Sequence, residues 1–522
     1  MDTAFNGHFD NRFLHELPGD PELLNQIRQV HGSAWSRVEP TPVAAPTVLL
    51  LAEDLAAELG LPAAGLSDRA ALAAVMAGNR RWPGMEPWAA CYGGHQFGHW
   101  AGQLGDGRAI SLGEWVHGGR RFELQLKGAG PTPYSRRADG RAVLRSSIRE
   151  FICSEAMHHL GVPTTRALTL VATGESVVRD ILYSGDPRPE PGAIVCRVSP
   201  SFLRFGNLEL PAARGDTALL RRLAEFMLDR DFPDLRGDFE SRLAESFART
   251  VEASAALVAQ WMALGFVHGV MNTDNCSVLG LTLDYGPYGW VEEVDPAFTP
   301  NTTDAEGRRY CYGRQPAIMA WNLARYGSAL APLLSDVAPL QAALDGYSGA
   351  YGRAYGAQLA AKLGLSDWQA GDDLLAQAWY DWLERAKVDL TLGFRHLSEH
   401  DPASWSPEAL AHAAYEPTAL ERHGEGLIDW RERYRARLAA GGITEAARQA
   451  RMQAANPVYI PRNWLAQEAI EAAERGDMAP LQALYQVIRE PYRHQPGREH
   501  QAGKRPEWAR HRPGCSMLSC SS

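Results

Sequence analysis

The chain has 522 residues, with 52 lysines and arginines against 62 aspartates and glutamates, so its formal net charge is −10 with histidine neutral. Apolar residues make up 45% and charged residues 22%, which excludes a disordered or fibrous chain. The acidic balance argues against a protein that coats nucleic acid, because phosphate binding needs a basic face. The length predicts two to four domain-sized units, or one large enzyme with extensions.

The sequence predicts a cytoplasmic protein with neither a nucleic-acid nor a membrane partner. Its start, MDTAFNGHFDNRF, has no basic segment followed by an apolar one, so no secretory signal is predicted. The charge-free stretch 253–273 contains His268 and breaks at Gly265, which favours a buried helix over a membrane span. Seven cysteines are too scattered for a disulfide scaffold.

The hydrophobic pattern changes along the chain and predicts a sheet region followed by a helical region. Residues 1–85 are interpreted as an N-terminal extension, with one helix over 49–60 that ends at Gly60. Residues 86–212 carry one helix and several runs typical of antiparallel strands. These runs are 109–115, 121–127, 164–174, 177–183 and 193–199.

Helical patterns continue to near the end of the chain. Residues 213–400 form the predicted helical region, and residues 401–522 form a C-terminal extension with further helices. The segment 492–514 is rich in proline, arginine and histidine and has few apolar residues. We expect this tail to be flexible and poorly ordered.

A glycine-rich segment stands just before the strand predicted at 109–115. Gly102, Gly105 and Gly107 lie in it, and Arg108 directly follows. Glycines let backbone N–H groups approach phosphate oxygens, and an adjacent arginine adds charge-assisted hydrogen bonds. The segment is therefore a candidate phosphate-binding loop, and a plain glycine-rich turn is the alternative.

Lys127 ends the next predicted strand, and the helix that follows carries Glu150 and Glu155. A glycine loop, two strands of which the second ends in lysine, and a helix with glutamates follow one another in the nucleotide-binding part of protein kinases. There the lysine pairs with the phosphates and with a helix glutamate. Both glutamates are candidate partners of Lys127, and the sequence does not choose between them.

A third segment, after the longest predicted helix, contains His268, Asn275 and Asp284. The spacing of His268 and Asn275 matches a kinase catalytic loop, and Asp284 precedes Tyr-Gly where kinases have a metal-binding Asp before Phe-Gly. Val270 occupies the position of the kinase base and cannot accept a proton, so Asp274 is the nearest replacement. The amide and carboxylate oxygens of Asn275 and Asp284 suit magnesium or manganese, and an Asx-rich turn is the alternative.

Two further groups of polar residues flank these segments. Arg197 and Arg204 lie near the predicted junction of the sheet and helical regions, where they are candidates for phosphate or acidic-partner contacts. Asp139 and Gly140 lie in an arginine-rich loop before the helix that carries the two glutamates. A solvated basic turn is the alternative for that loop.

These strings together closely resemble the selenoprotein O (SelO/YdiU) family. The resemblance is carried by GGHQFGHWAGQLGDGRA, LQLKGAGPTPYSRRADGRAVLRSSIREFICSEAM, GVPTTRAL, RVSPSFLRFGNLE, HGVMNTDNCSVLGLTLDYGPYG and the closing CSS. It implies an α+β, protein-kinase-like fold of two lobes, an antiparallel-sheet N-lobe and a helical C-lobe, with N- and C-terminal extensions. The implied activity is transfer of AMP from ATP, bound in a flipped orientation, to Ser, Thr or Tyr hydroxyls of proteins.

The resemblance also implies roles for single residues. Asp274 is expected to be the proton acceptor, and Asn275 and Asp284 the ligands of Mg²⁺ or Mn²⁺. The nucleotide is expected to be held by Gly105, Gly107, Arg108, Lys127, Asp139, Gly140, Arg197, Arg204 and Asp284. The family leaves open UMP transfer from UTP with manganese.

The family carries a selenocysteine or cysteine three residues from its end, which corresponds to Cys520 here. By resemblance, Cys520 is a candidate for a redox-sensitive bridge, with Cys311 or Cys276 as its partner, and a free thiol is the alternative. Two other functions compete with nucleotidyl transfer. They are an ATP-binding pseudokinase scaffold, motivated by Val270, and a small-molecule phosphotransferase of the aminoglycoside-kinase type, which also needs an acidic base at that position.

Overall fold

A computed structural model describes residues 7–180 and 185–519. Residues 181–183 of the strand predicted at 177–183, the first six residues and Cys520 lie outside the described residues. The described part combines one large antiparallel sheet with many helices.

Most of the strands lie in the first half of the chain. The strands are β1 His8–Phe9, β2 Trp35–Arg37, β3 Thr47–Leu51, β4 Trp88–Ala90, β5 Gly93–Gln96, β6 His99–Gln103, β7 Ala109–His117, β8 Arg120–Lys127, β9 Ala142–Val143, β10 Arg166–Arg179, β11 Arg188–Ser199, β12 Phe266–Val267 and β13 Gly289–Trp290.

Helices dominate the chain after β11. The α-helices are α1 Arg12–Glu16, α2 Glu53–Glu58, α3 Ala63–Ser67, α4 Arg69–Met76, α5 Leu144–His159, α6 Phe205–Ala213, α7 Thr217–Asp231, α8 Phe239–Leu264, α9 Gln315–Leu330, α10 Ala338–Lys362, α11 Asp372–Ala386, α12 Leu390–Glu399, α13 Pro417–Arg422, α14 Gly424–Gly441, α15 Glu445–Ala455, α16 Asn463–Glu474, α17 Ala479–Ile488 and α18 Glu499–Ala502.

The large sheet has the strand order β2-β4-β7-β8-β11-β10-β3, with β1 paired to β7 and β9 paired to β11. All of these pairs are antiparallel. The predictions of an antiparallel sheet and of a following helical region are therefore confirmed. Separately, β5 pairs with β6 in a hairpin that lies outside this sheet.

Alternation along β8 explains how the sheet separates its core from its polar face. Phe122, Leu124 and Leu126 belong to the hydrophobic core that also contains residues of α5, α16 and α17. Because successive side chains of a strand point to opposite faces, Gln125 and Lys127 project from the other face. Gln125 lies directly opposite Arg197 of β11, so their side chains share that polar face.

Three parts of the structure differ from what the sequence predicts. Residues 49–51 belong to β3, and the helix predicted from residue 49 begins only at Glu53, since a short apolar run suits a strand buried against β10 equally well. The predicted N-terminal extension supplies β1, β2 and β3 to the large sheet.

The tail 492–519 is packed against the rest of the chain, although the sequence predicts poor order. Arg505 donates to Glu292 at 3.0 Å and to Glu293 at 2.6 Å. The carbonyl of Leu518 accepts a hydrogen bond from the backbone of Thr302 at 2.7 Å. Composition did not reveal these contacts because the acidic partners lie some 200 residues earlier in the chain, with separations of 213 and 212 residues for the two Arg505 bonds.

Among the described residues, no helix has both the length and the apolar character needed to cross a bilayer. The charge-free stretch 253–273 is split as the sequence predicts. Helix α8 ends at Leu264, and Gly265 follows in the left-handed conformation (φ 77°) that closes many helices.

Candidate active site

Lys127 and α5 form the first part of the site, and the structure decides which glutamate the lysine meets. Nζ of Lys127 lies 2.5 Å from Oε2 of Glu150. Glu155 instead accepts two hydrogen bonds from the guanidinium of Arg166, each 2.8 Å long. Glu150 is therefore the partner of Lys127, and Glu155 belongs to a separate buried ion pair.

Three cationic side chains form ion pairs with a single carboxylate, that of Asp284. Lys127 lies 3.4 Å from its Oδ1, Arg204 lies 2.8 Å from its Oδ2, and Arg197 is bonded to Oδ1. Arg197 also pairs with Glu150 at 3.2 Å. The structure therefore brings together four of the residues predicted from the lysine, arginine and Asp-Tyr-Gly motifs.

Charge decides the protonation states in this cluster. Burial opposes ionisation of Asp284, but Arg197, Lys127 and Arg204 outweigh it and hold the pKa of this carboxyl well below its usual range. Burial lowers the pKa of Lys127, and Glu150 and Asp284 partly offset that effect. The cluster thus contains more cations than anions, an arrangement suited to binding phosphates.

The loop after α8 carries the second part of the site, Asp274. This residue lies in the short 3₁₀ turn Thr273–Asn275, and its backbone carbonyl accepts a hydrogen bond from Arg204 at 2.8 Å. Arg204 therefore contacts both Asp274 and Asp284. Helix α6 begins directly after Arg204, so the arginine is fixed at a helix start between the sheet and the loop.

Asp274 is a buried carboxyl group, and only one of its two oxygens accepts a hydrogen bond from the described residues. Only 7% of the residue is exposed, and its Oδ2 accepts a hydrogen bond from Gln96 Nε2 at 3.1 Å. Its Oδ1 is buried and has no hydrogen-bond partner among the described residues. Burial raises the pKa of Asp274 to about 7, while the hydrogen bond from Gln96 and the charge of Arg204 act in the opposite direction. A carboxyl that titrates near neutrality can accept a proton from a hydroxyl group.

The β5–β6 hairpin lies directly on this loop. The backbone N–H of His95 donates to Thr273 Oγ1 at 2.7 Å, and that of Phe97 donates to Asn272 Oδ1 at 3.3 Å. A Cβ built on Gly94 would come within 2.9 Å of Asp274 Cβ. Glycine at position 94 therefore permits the close approach of the hairpin to the carboxyl group.

His268 and Val270 occupy the start of the loop and offer no base. Nε2 of His268 lies 2.8 Å from the carbonyl of Leu283, and burial lowers the pKa of this imidazole. Its Nδ1 accepts a hydrogen bond from the backbone of Val270 at 3.3 Å. The histidine thus joins the loop to the segment that ends in Asp284, and its role in this structure is positional.

Asn275 and Asp284 provide a donor set that fits a hard divalent cation. Nδ2 of Asn275 donates to the Val270 carbonyl at 2.9 Å, which leaves the amide oxygen as the free end of the side chain. Asp284 is ionised and partly accessible, with 21% of its side chain exposed. Amide and carboxylate oxygens are the ligands that magnesium and manganese prefer.

Gly105 and Gly107 shape a loop between β6 and β7. Gly105 has φ 73°, and a Cβ on it would overlap the ring of Tyr134. A Cβ on Gly107 would lie 2.9 Å from the Tyr134 carbonyl. The carbonyl of Arg108 accepts a hydrogen bond from Gly128, the residue after Lys127, at 2.7 Å. The glycine loop is therefore held beside the end of β8 by close backbone packing.

Asp139 and Gly140 lie further from the charged cluster. Asp139 pairs with Arg179 at 2.7 Å, and 47% of its side chain is exposed. The hydrogen bond from Arg179 holds the pKa of Asp139 below its ordinary value against the effect of burial. Gly140 (φ 70°) packs on the backbone of Gly130, so this loop borders the turn that follows Lys127, and the Asp139 carboxylate itself pairs elsewhere.

Gln96 is a site residue that sequence reasoning missed. It lies within GGHQFGHW, just before the glycines that predict a phosphate-binding loop. An amide side chain between glycines in a hairpin can form a hydrogen bond with a carboxyl group that is distant in the chain. The contact joins positions 178 residues apart, and the short-range pattern contains no sign of it.

The candidate redox residue Cys520 lies outside the described residues. Cys276 and Cys311, its predicted alternatives as partner, are both buried free thiols. Burial raises the pKa of each. The bridge therefore stays a prediction.

The chain is similar to known proteins over almost its whole length. A family model described as protein adenylyltransferase SelO matches residues 22–489. A protein nucleotidyltransferase YdiU of Xanthomonas campestris pv. campestris (strain 8004) is 58% identical over 515 residues, which cover 98% of this chain and 99% of that protein. Proteins of the same name from Azoarcus sp. (strain BH72) and Tolumonas auensis (strain DSM 9187 / NBRC 110442 / TA 4) are 56% and 54% identical over 515 and 516 residues, again covering 99% of each relative and 98% and 99% of this chain.

A buried carboxyl group beside a lysine–arginine cluster, together with these similarities, defines an enzyme that transfers nucleotides. The chain belongs to the SelO family of protein adenylyltransferases, whose curated relatives carry the name YdiU. The family resemblance drawn from the sequence motifs is thereby confirmed.

Proposed function

We propose that this chain transfers AMP from ATP to hydroxyl side chains of proteins and releases pyrophosphate. The acceptors are Ser, Thr or Tyr, and the partners are ATP and protein substrates. The observation that carries the proposal is Asp274, a buried carboxyl group whose pKa is raised to about 7 and whose Oδ1 has no partner in the described chain. A kinase-type base is absent from the loop, because Val270 stands at that position.

Each chemical demand of the reaction has a group suited to it. Asp274 takes the proton from the attacking hydroxyl, since general bases work best with a pKa near the working pH. Lys127, Arg197 and Arg204 face the polyphosphate and stabilise the charge that develops on the leaving pyrophosphate. Arg204 donates hydrogen bonds both to the Asp274 backbone and to Asp284, so it fixes the position of the base relative to the phosphate-binding cations.

Asn275 and Asp284 would hold Mg²⁺ or Mn²⁺ in this proposal. The bound cation supplies Lewis-acid neutralisation of phosphate charge. Gly105, Gly107 and Arg108 cover the phosphates, and the loop of Asp139 and Gly140 borders the nucleotide from the far side of Lys127. The proximity of the Arg108 carbonyl to Gly128 supports this arrangement.

We further propose that the fold is protein-kinase-like, with residues 86–212 as the N-lobe and 213–400 as the C-lobe. The order of glycine loop, Lys127, Glu150 on α5 and Asp284 supports this assignment, as does the Lys127–Glu150 ion pair. ATP in a flipped orientation, use of UTP as a second donor and a cytoplasmic location are proposals of the same kind. The six cysteines in residues 7–180 and 185–519 are buried free thiols, which are ordinary in a reducing compartment.

Labelled ATP tests the proposed reaction. The purified chain is incubated with manganese or magnesium, casein and ATP labelled on the α- or the γ-phosphate, beside Asp284→Ala. We expect label from the α position on protein, and none with the variant. Label from the γ position alone would make the chain a kinase, and ATP binding without any label would favour the pseudokinase scaffold.

A further inference from the structure

Two arginines contact the ring of one tryptophan next to the β5–β6 hairpin. Cζ of Arg309 lies 4.6 Å from the centre of the Trp321 ring, and Cζ of Arg325 lies 5.3 Å from it. His95 of the hairpin packs on the same ring at 5.4 Å. We refer to Arg309, Trp321 and Arg325 as the arginine–tryptophan cluster.

Among the described residues no carboxylate lies within ion-pair distance of either guanidinium group, although the charge of Arg309 opposes the rise that burial causes in the pKa of Asp304. Neither Arg309 nor Arg325 forms an ion pair with any residue in 7–180 or 185–519. Nε and Nη2 of Arg309 and Nε of Arg325 are also buried without a hydrogen-bond acceptor in that part of the chain. Buried donors without acceptors are costly, so a site where two arginines on one tryptophan ring keep such donors is suited to an anionic ligand.

The carboxylates near this cluster have hydrogen-bond partners other than the two guanidinium groups. The acidic group on this side of the hairpin, Glu209, lies 2.8 Å from Nδ1 of His95. Asp304 accepts its hydrogen bonds from the backbone of Arg309 and Tyr310, not from the Arg309 guanidinium.

The cluster lies beside the proposed base. A Cβ on Gly98, at the hairpin tip, would be 3.2 Å from Cζ of Arg309. Gly98 is two residues from Gln96, whose amide is bonded to Asp274, and two residues of chain span at most about 7 Å. On the other side, Asn322 of α9, next to Trp321, donates to the carbonyl of Met271 at 2.9 Å. Tyr310, next to Arg309, donates to Asn272 Oδ1 at 2.7 Å, so α9 and the segment that carries Arg309 both touch the loop of Asp274.

We propose that Arg309 and Arg325 bind an acidic side chain of the acceptor protein, within about three residues of the hydroxyl that receives the nucleotide. This inference rests on the proposed function and names the class of acceptor for the same site. Guanidinium groups bind carboxylates through paired, charge-assisted hydrogen bonds, and here both groups also contact the Trp321 ring. Trp100, 40% exposed and 5.0 Å from His95, provides an apolar surface for the neighbouring acceptor residues.

Synthetic peptides with one Ser, Thr or Tyr test the proposal directly. Each hydroxyl is flanked by Glu, by Gln or by Lys, and transfer from α-labelled ATP is measured for wild type and for Arg309→Gln combined with Arg325→Gln. We expect wild type to favour the Glu peptides over the Lys peptides by about tenfold in kcat/KM, and the double variant to lose this preference. The KM for ATP is expected to stay unchanged.

Matched variants separate recognition from folding. Arg314→Gln removes an exposed arginine of the same segment that donates to the carbonyl of Gly307, and it is expected to keep the preference. Arg309→Lys with Arg325→Lys keeps the charge but loses the paired donors, and it is expected to keep part of the preference. Thermal melting of every variant checks that the fold is intact.

Several results would overturn the inference while leaving the proposed function in place. They are equal use of Glu and Lys peptides by wild type, a preference that survives in the double variant, and label on casein or on the enzyme but on none of the peptides. A raised KM for ATP in the double variant would make the cluster a nucleotide subsite instead. No α-label on any protein or peptide would refute the proposed function itself.

Discussion

The ammonium group of Lys127 lies 2.5 Å from Glu150, and Glu155, five residues further along the same helix, is bonded to Arg166. Substitution of each glutamate is therefore expected to affect a different property, ATP binding for Glu150 and stability for Glu155. Glu150→Gln is expected to raise the KM for ATP, because Lys127 loses the carboxylate that positions it. Glu155→Gln is expected to lower the melting temperature, since a buried arginine loses its main partner at a cost on the order of 3 kcal/mol.

Nucleotide titration and thermal melting of the two variants check this division. Each substitution keeps the size of the side chain and removes one charge, so each serves as the control for the other. The assignment of Glu150 would be refuted if Glu155→Gln weakened ATP binding while Glu150→Gln did not.

The choice between these glutamates shows where sequence reasoning stops. A helix turns by about 100° per residue, so positions 150 and 155 face different directions, but the sequence does not reveal which face meets β8. Local signals predicted the end of α8 at Gly265 and the lysine that ends β8, because a cap and a strand alternation are written in neighbouring residues. Those signals depend on short-range physics alone.

Contacts between distant segments account for what the sequence did not predict. Gln96 is bonded to Asp274, and Arg505 to Glu292, although these partners are 178 and 213 residues apart in the chain. The helix predicted over residues 49–60 was wrong at residues 49–51 for a related reason, because pairing of β3 with β10 overrides a weak helical preference. Such contacts depend on tertiary packing, and the local pattern of a single sequence does not reveal them.

The raised pKa of Asp274 predicts how the reaction depends on pH. If Asp274 accepts the proton, it must be ionised, so the rate is expected to rise with pH around a midpoint of about 7. Asp274→Asn is expected to slow transfer by about 10²–10⁴-fold and to change the affinity for ATP much less. Pre-steady-state transfer and ATP titration across pH 5 to 9 measure both, and an equal loss in binding would recast Asp274 as a nucleotide ligand.

The same pKa predicts that the stability of the fold decreases with rising pH, whereas the reaction rate increases. An unfolded chain loses this proton near 3.8, whereas the folded chain keeps it until about 7. Between these values the folded state binds more protons, so the free energy of unfolding falls as pH rises. Asp274→Asn is therefore expected to melt at a higher temperature than wild type near pH 8 and at an equal temperature below about pH 4. Equal melting temperatures near pH 8 would contradict the raised pKa.

Gln96 is expected to tune this base as a positioning residue. Its hydrogen bond at 3.1 Å favours the ionised carboxylate of Asp274. Gln96→Ala is expected to move the midpoint of the pH–rate profile upward by up to about one unit and to leave the KM for ATP unchanged. His99→Ala, which changes an exposed residue of the same hairpin, is the matched control. A lower plateau without a shifted midpoint would limit Gln96 to a structural role.

The packed tail gives a prediction about stability away from the site. Burial raises the pKa of Glu292 to about 7 even though Arg462 and Arg505 oppose that shift, so Glu292 depends on both arginines to stay ionised. Arg505→Ala removes one of them, together with the bond to Glu293, and it is expected to loosen the docked tail by about 1–3 kcal/mol.

Hydrogen exchange of residues 499–519 measures that loosening. Faster exchange is expected in the tail and in residues 301–302, because Leu518 is bonded to Thr302. Arg493→Ala is the control, since 81% of that side chain is exposed and its ion pair with Glu490 lies on the surface. Rapid exchange of the tail already in wild type would restore the expectation of poor order that composition alone supports. Protection that Arg505→Ala leaves unchanged would instead mean that apolar contacts such as those of Ala509 and Cys515 hold the tail in place.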